Sequence, residues 1–493
     1  MKQLSKHLLA GRPESALLSL PEKVLQFGTG ALLRGLPDFL IDQANRQGIF
    51  NGRVVVVKST DAGDASIFEQ QDNLYTLLIR GIENGQPVSK NIISTAISRV
   101  LSAHQQWTEV LTCVANPLLE IVISNTTEVG IQLVQEDIRQ MPPSSFPGKL
   151  LAFLHTRYRF FHGDLSKGLV IVPTELVSGN GDLLESIVLE LAHANQLEYG
   201  FIEWLENACT FCNSLVDRIV PGQPSADQVA ALQQELGYVD HLITVSEPYC
   251  LWAIEGDEKV AKVLSFQQAA PESIVITTDI NGFRERKLRL LNGTHTLSCG
   301  LAHLAGFATV NAAMEDVEMA AFIEHLVLQE IAPAIPYPLP PGDAEQFGRQ
   351  VLERFRNPVV EHRWLSITVQ YSTKMKMRNI PVLLEHYRKN QTPPRYFALG
   401  FAAFLCFYRQ ASYPIKDDQA AYFIEKWEVL SARDFSHSVL ADTKLWDTDL
   451  SLLPGFETQV QGFVADILER GARTVLHELL LKNETTSFAN TPA

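Results

Sequence analysis

The chain has 493 residues, of which 46% are hydrophobic and 20% charged, and its formal net charge is −15. That length exceeds one ordinary core, and the composition is globular, with no apolar run long enough for a bilayer. So acidic a balance argues against nucleic acid or an anionic membrane surface as a general partner, and an anionic small molecule would need a local cluster of cations.

The start, MKQLSKHLLAGRPES, has no sustained apolar core and no small-residue cleavage site, so no secretory leader is expected and the cytoplasm is the expected location. The first strong signal is Val24-Leu25-Gln26-Phe27-Gly28-Thr29-Gly30, an apolar run that turns through glycines into the helical pattern from Leu32 to Ile41, with Pro37 as a kink or a boundary. Val54-Val55-Val56-Val57 follows as a strand buried on both faces. This is a βαβ unit in which Phe27, Gly28, Thr29 and Gly30 form the candidate dinucleotide loop, although Leu33 replaces the third glycine of GxGxxG. At the end of the second strand Asp61 can hold an adenosine ribose, whereas Lys58 and Ser59 can accept a 2′-phosphate. Residue type therefore does not settle NAD over NADP at this point, and NAD is carried forward as the expected cofactor with NADP open.

Further strands are expected at Leu119–Ile123, Leu169–Val172, Leu242–Val245 and Ile274–Thr278, a doubly wound α/β pattern. The first ends in Ser124-Asn125-Thr126, so Asn125 and Thr126 are candidates for the cofactor edge. After the next, Glu175 either faces substrate or caps a helix from Leu183 to Ala194. The stretch from Phe201 to Pro221 reads as largely helical, with Asp217 and Arg218 as a structural pair. Six scattered cysteines make no disulfide framework. Cys209-Thr210-Phe211-Cys212 lacks a second CxxC or a histidine pair at zinc spacing, and no HExxH occurs, so no metal site is expected.

Beyond residue 280 the pattern becomes long amphipathic helices, which sets expected domains of 1–278 and 279–493: a Rossmann-like doubly wound domain, then a mainly α-helical one. The second opens with Glu285–His295. On an α-helix at about 100° per residue, Lys287, Asn292 and His295 share an arc of roughly 140°, while Arg286 and Arg289 read as surface charges. Lys374 and Arg378, four apart, can share a face and grip a carboxylate.

Phe27-Gly28-Thr29-Gly30 with Arg34, Asn73–Leu77, Ser124–Glu128, Asn213–Ile219, Glu247-Pro248-Tyr249 with Trp252, and Lys287-x4-Asn292-x2-His295 together resemble the mannitol dehydrogenase family of polyol-specific long-chain dehydrogenases, over nearly the whole length. The resemblance implies metal-independent hydride transfer between a nicotinamide cofactor and a secondary alcohol. It casts Lys287 as general acid/base, Asn292 and His295 as groups that orient the reacting oxygen, Arg34 as part of the cofactor motif and Lys374 as a substrate ligand. Pro173-Thr174-Glu175 stands where many polyol enzymes of the family carry another asparagine, as in its uronate branch, so a small anionic sugar acid is the expected substrate. The alternatives are an isomeric hexonate, mannitol itself, or a non-catalytic NADH or sugar-acid sensor that kept the fold.

Overall fold

The computed structural model describes residues 1–59, 65–126, 130–221, 224–359, 361–409 and 413–489, with side chains as far as Leu481. It divides into two compact units: Met1–Arg80 with Pro87–Ile280, and Gly81–Gln86 with Asn281–Ala493.

The first unit is built on six parallel strands, β1 (Glu22–Phe27), β2 (Arg53–Lys58), β3 (Ile97–Ser102), β4 (Ile121–Ser124), β5 (Val170–Pro173) and β6 (Thr210–Phe211). Their order is β3-β2-β1-β4-β5-β6. The chain thus starts mid-sheet and works outward both ways, which leaves a crevice at the carboxyl ends of β1 and β4. Side chains alternate across the sheet. Leu25, Phe27, Val55, Val57 and Val122 face one core, whereas Val24, Val54, Val56, Ile121 and Ile123 face the other. With both faces covered, β2 is buried along its whole length. After β1 come helices α1 (Ala31–Gly35) and α2 (Pro37–Arg46). Pro37 occupies the first position of α2, where its missing N–H costs nothing, so it is a boundary between two helices.

Several expected elements differ. Thr244–Ser246 pairs with Tyr75–Glu83 beside Gln86–Ser94, and Ile274–Thr277 pairs with Leu251–Glu255, so neither joins the parallel sheet. Ser214–Asp217, expected as helix, is the antiparallel partner of Leu251–Glu255. A run this short carries too few periods to separate strand from helix. Arg218 donates to the carbonyls of Gly35 (2.6 Å) and Glu247 (3.0 Å) and lies over the Phe39 ring.

The second unit is helical and packs around α5 (Arg395–Phe407), buried from Tyr396 to Phe407 and hence apolar all round. Against it lies α3 (Thr294–Leu304), and α4 (Asp343–Phe355) precedes α5 in the chain. A side chain at Gly400 would stand 2.7 Å from the carbonyl of Leu297, so glycine is what lets α3 and α5 approach this closely. No helix among the described residues is long and apolar enough to cross a membrane.

Candidate active site

In the first unit the turn from β1 into α1 has a conformation that its glycines impose. Phe27 is fully buried, its ring 5.1 Å from Phe146, and anchors the end of the strand. Gly28 has φ +125°, and a Cβ there would stand 2.7 Å from the carbonyl of Asn125 and 2.8 Å from Leu33 Cδ1. Leu33 thus fills the underside of the loop. At Gly30, the residue preceding α1, a Cβ would project into open space. At Gly30 the loop offers bare backbone beside helix amides, a cradle that suits a pyrophosphate.

Arg34 braces this loop from within. Its Nη1 donates to the Thr29 carbonyl at 2.6 Å and its Nε to Thr244 Oγ1 at 3.0 Å, between the rings of Phe68 and Tyr75. Burial lowers its pKa.

The ends of β4 and β5 are tied together. Asn125 donates its side-chain amide to the Thr174 carbonyl (3.1 Å) and hydroxyl (3.0 Å). Buried Glu175 accepts from Ser124 Oγ (3.1 Å), the Thr126 N–H (2.8 Å) and the Thr126 hydroxyl (3.0 Å). It caps no helix, since the helix expected from Leu183 begins at Asn180. Both carboxylate oxygens instead hold the strand-end loop. Asp61 lies outside the described residues. Beside the ends of β2 and β3 a cavity of about 550 Å³ is lined by Lys58, Ser66, Asn73, Arg99, Ser102 and Gln106. Burial pushes the Cys209 and Cys212 thiols up to about 12, and no group of three or more His, Cys, Asp or Glu among the described residues is placed to hold a metal.

In the second unit Lys287 and Asn292 do not lie on an α-helix. Asn281–Arg286 is α-helical, Lys287–Gly293 is π-helical, and α3 resumes at Thr294. Where the backbone bonds i to i+5, residues five apart follow one another along one face, as residues four apart do on an α-helix. The spacing of Lys287 and Asn292 therefore matches the local helix better than the α-helical arc. Lys374 and Arg378 meet the same device: Tyr371–Lys374 is α-helical and Met375–Asn379 is π-helical.

The two π-helical segments pack against each other. Arg378 Nη1 donates to the Asn292 carbonyl (3.4 Å) and to Thr296 Oγ1 (3.2 Å), and Asn379 Nδ2 to the Gly293 carbonyl (3.0 Å). Arg286 and Arg289 are not surface charges. Arg286 pairs with Asp343 at 2.5 Å and lies over the rings of Phe283 and Phe347. Arg289, only 7% exposed, bonds Glu285 and the carbonyls of Met377 and Arg378. Apolar burial overrides their charge because each has a partner.

His295 is 6% exposed, stacked on Phe355 at 4.0 Å and edge-on to His362 at 4.9 Å. Its Nε2 is buried without a hydrogen-bond partner among the described residues, a desolvation cost that a ligand hydroxyl would remove. Burial, reinforced by neighbouring His362 and by the cations Arg354, Arg378 and Lys374, drives its pKa well below the usual value, so the ring is neutral. Burial and Arg378 lower Lys374, whose Nζ donates to the Ile367 carbonyl at 3.0 Å. Lys376, the third cation of its run, turns away to Asp447 at 2.7 Å. Arg354 and His362 escaped the sequence reading, since a cation ending an amphipathic helix looks like any solvated charge.

The mannitol dehydrogenase Rossmann domain matches residues 22–268, and the mannitol dehydrogenase C-terminal domain matches 279–468. The chain belongs to the mannitol dehydrogenase family. Within this family it is 38% identical over 467 residues to the altronate oxidoreductase of Bacillus subtilis, covering 94% of this chain and 96% of that one. The altronate oxidoreductase of Shigella flexneri is 37% identical over 474 residues, 93% of this chain and 97% of its own. Among solved structures, a ternary complex of Pseudomonas fluorescens mannitol 2-dehydrogenase with NAD and D-mannitol has the same fold, with a TM-score of 0.69 at 21% identity over 98% of this chain and 100% of that one.

Proposed function

We propose that this chain is an NAD-dependent oxidoreductase that interconverts D-altronate and D-tagaturonate. The observation that carries the substrate class is the gathering of the cations Lys374, Arg378 and Arg354 around neutral His295, in a protein whose net charge is −15. Such a cluster rewards an anionic, hydroxylated ligand. The relatives called altronate oxidoreductase, similar over nearly their whole length, support the choice of acid.

Residues 1–278 serve as the cofactor domain and 279–493 as the substrate and catalytic domain. Gly28, Thr29 and Gly30 receive the pyrophosphate, with Phe27 and Arg34 holding the loop and Asn125 and Thr126 the neighbouring edge. NAD, when bound, supplies the hydride acceptor. Lys287 takes the proton of the reacting hydroxyl in oxidation and returns it in reduction. Asn292 donates to the oxygen as negative charge develops on it, and His295 Nε2 fixes the direction of the hydroxyl. Lys374 and Arg378 hold the carboxylate, and Glu175 acts at one remove through the loop that it braces. The free cysteines suit a reducing compartment, in keeping with a cytoplasmic enzyme.

The test follows NADH formation with altronate, mannonate and mannitol. Turnover of altronate above the others is the expected result, and activity on mannitol alone would overturn the sugar-acid assignment. Binding of NADH without turnover of any sugar acid would favour a sensor.

A further inference from the structure

We propose that Arg289 is a positioning residue that sets the register between the segment carrying Lys287 and Asn292 and the segment carrying Lys374 and Arg378. Its effect on catalysis rests on the reaction proposed above. A π-helical stretch shifts the backbone hydrogen-bond ladder by one residue, and carbonyls near its ends need outside donors. Arg289 Nη1 donates to two carbonyls of the opposing segment, Met377 at 2.6 Å and Arg378 at 2.9 Å. Its Nε donates to Glu285 Oε2 at 2.9 Å, which fixes the plane of the guanidinium from one turn earlier in the same helical run.

Two bonds cross the junction in the other direction, from Asn379 to the Gly293 carbonyl and from Arg378 to the Asn292 carbonyl. The segments are also close: a Cβ at Gly293 would stand 3.1 Å from Asn379 Nδ2. One of the two carbonyls that Arg289 grips belongs to Arg378 itself, so the guanidinium aligns the backbone of a carboxylate-binding residue with the helix that bears Lys287. A substrate held at both ends reads that alignment directly, and a shift of about 1 Å costs about 100-fold in rate.

The experiment compares wild type with Arg289→Lys and Arg289→Met, each normalised to its NADH-binding sites so that only folded protein is scored. Amide hydrogen exchange is expected to rise together at 287–293 and 375–379 in both variants, with 326–331, the third π-helical segment, unchanged. With altronate, kcat is expected to fall at least tenfold in Arg289→Lys, because one ammonium cannot span two carbonyls and Glu285. The preference for altronate over altritol, which lacks the carboxylate, is expected to collapse in the same variant. Exchange like that of wild type, or kcat and KM per NADH site within twofold of wild type, would overturn the proposal. If wild type turns over no hexonate, the proposed reaction falls, and the exchange measurement still decides the register.

Discussion

Glu175 accepts the Thr126 N–H at 2.8 Å and so ties the loop after β4 to the end of β5. The acceptors are spent on loop geometry, which makes the residue a strut for the strand-end loop proposed to border the cofactor. Glu175→Gln replaces one acceptor by a donor facing the Ser124 hydroxyl or the Thr126 donors, at a cost of roughly 1–3 kcal/mol. The expected outcome in a fluorescence titration is NADH affinity weakened about tenfold, with KM for the acid changed far less.

The two loop glycines separate fold from binding. Gly28→Ala forces a Cβ against the Asn125 carbonyl at positive φ, and calorimetry is expected to show a loss of roughly 1–3 kcal/mol. Gly30→Ala meets no atom within 4 Å. Its Tm is expected to match wild type while its NADH affinity drops, because the methyl group intrudes where the pyrophosphate approaches.

Kinetics divide the second unit. Lys287→Ala is expected to lower kcat by about 10²- to 10⁴-fold with NADH binding retained, the signature of a lost general base. Lys374→Ala, which removes a charge-assisted bond, is expected to raise KM for altronate roughly 10- to 100-fold with a smaller change in kcat. Equal KM and kcat in that variant would return Lys374 to a structural role through the Ile367 carbonyl.

Stability against pH carries two opposite slopes. His295 titrates lower in the folded chain than in the unfolded one, so below about pH 6.5 the unfolded chain binds more protons and stability falls as pH drops. Asp38 is reversed. Burial holds its carboxyl at about 7, against 3.8 when exposed, so the folded chain binds more protons between those values and stability falls as pH rises through them. Asp38 Oδ1 and Gln26 Oε1 both lack partners among the described residues, and an asparagine at 38 can donate to the glutamine. Asp38→Asn is therefore expected to raise Tm at pH 8 and leave it unchanged near pH 4. A calorimetric series that keeps the wild-type slope would refute this.

What could be read beforehand depended on how local the signal was. The β1 turn, the buried valines of β2 and the helical second half each announce themselves within a dozen residues. The role of Glu175 is set by partners about 50 residues earlier in the chain, and Arg354 and His362 matter only once folding brings them to His295. The π-helical stretch had a faint signature: an interval of five between Lys287 and Asn292 is awkward on an α-helix, where they diverge. Ser214–Asp217 reads as helix in the sequence and folds as a strand, since four residues hold no full helical period beyond the first turn.

A π-helical stretch is an α-helix that has absorbed one extra residue in a wider turn, so the helices on either side keep their rotation relative to each other. Deleting a single residue such as Leu288 would let the run relax to α-helical pitch. Lys287 would then stand four residues before Asn292, and the two would still share one face. The pair itself would survive, and only the wide turn between its members would be gone. Point substitutions probe the chemistry of this stretch, whereas a one-residue deletion would test whether that chemistry needs the wide turn itself.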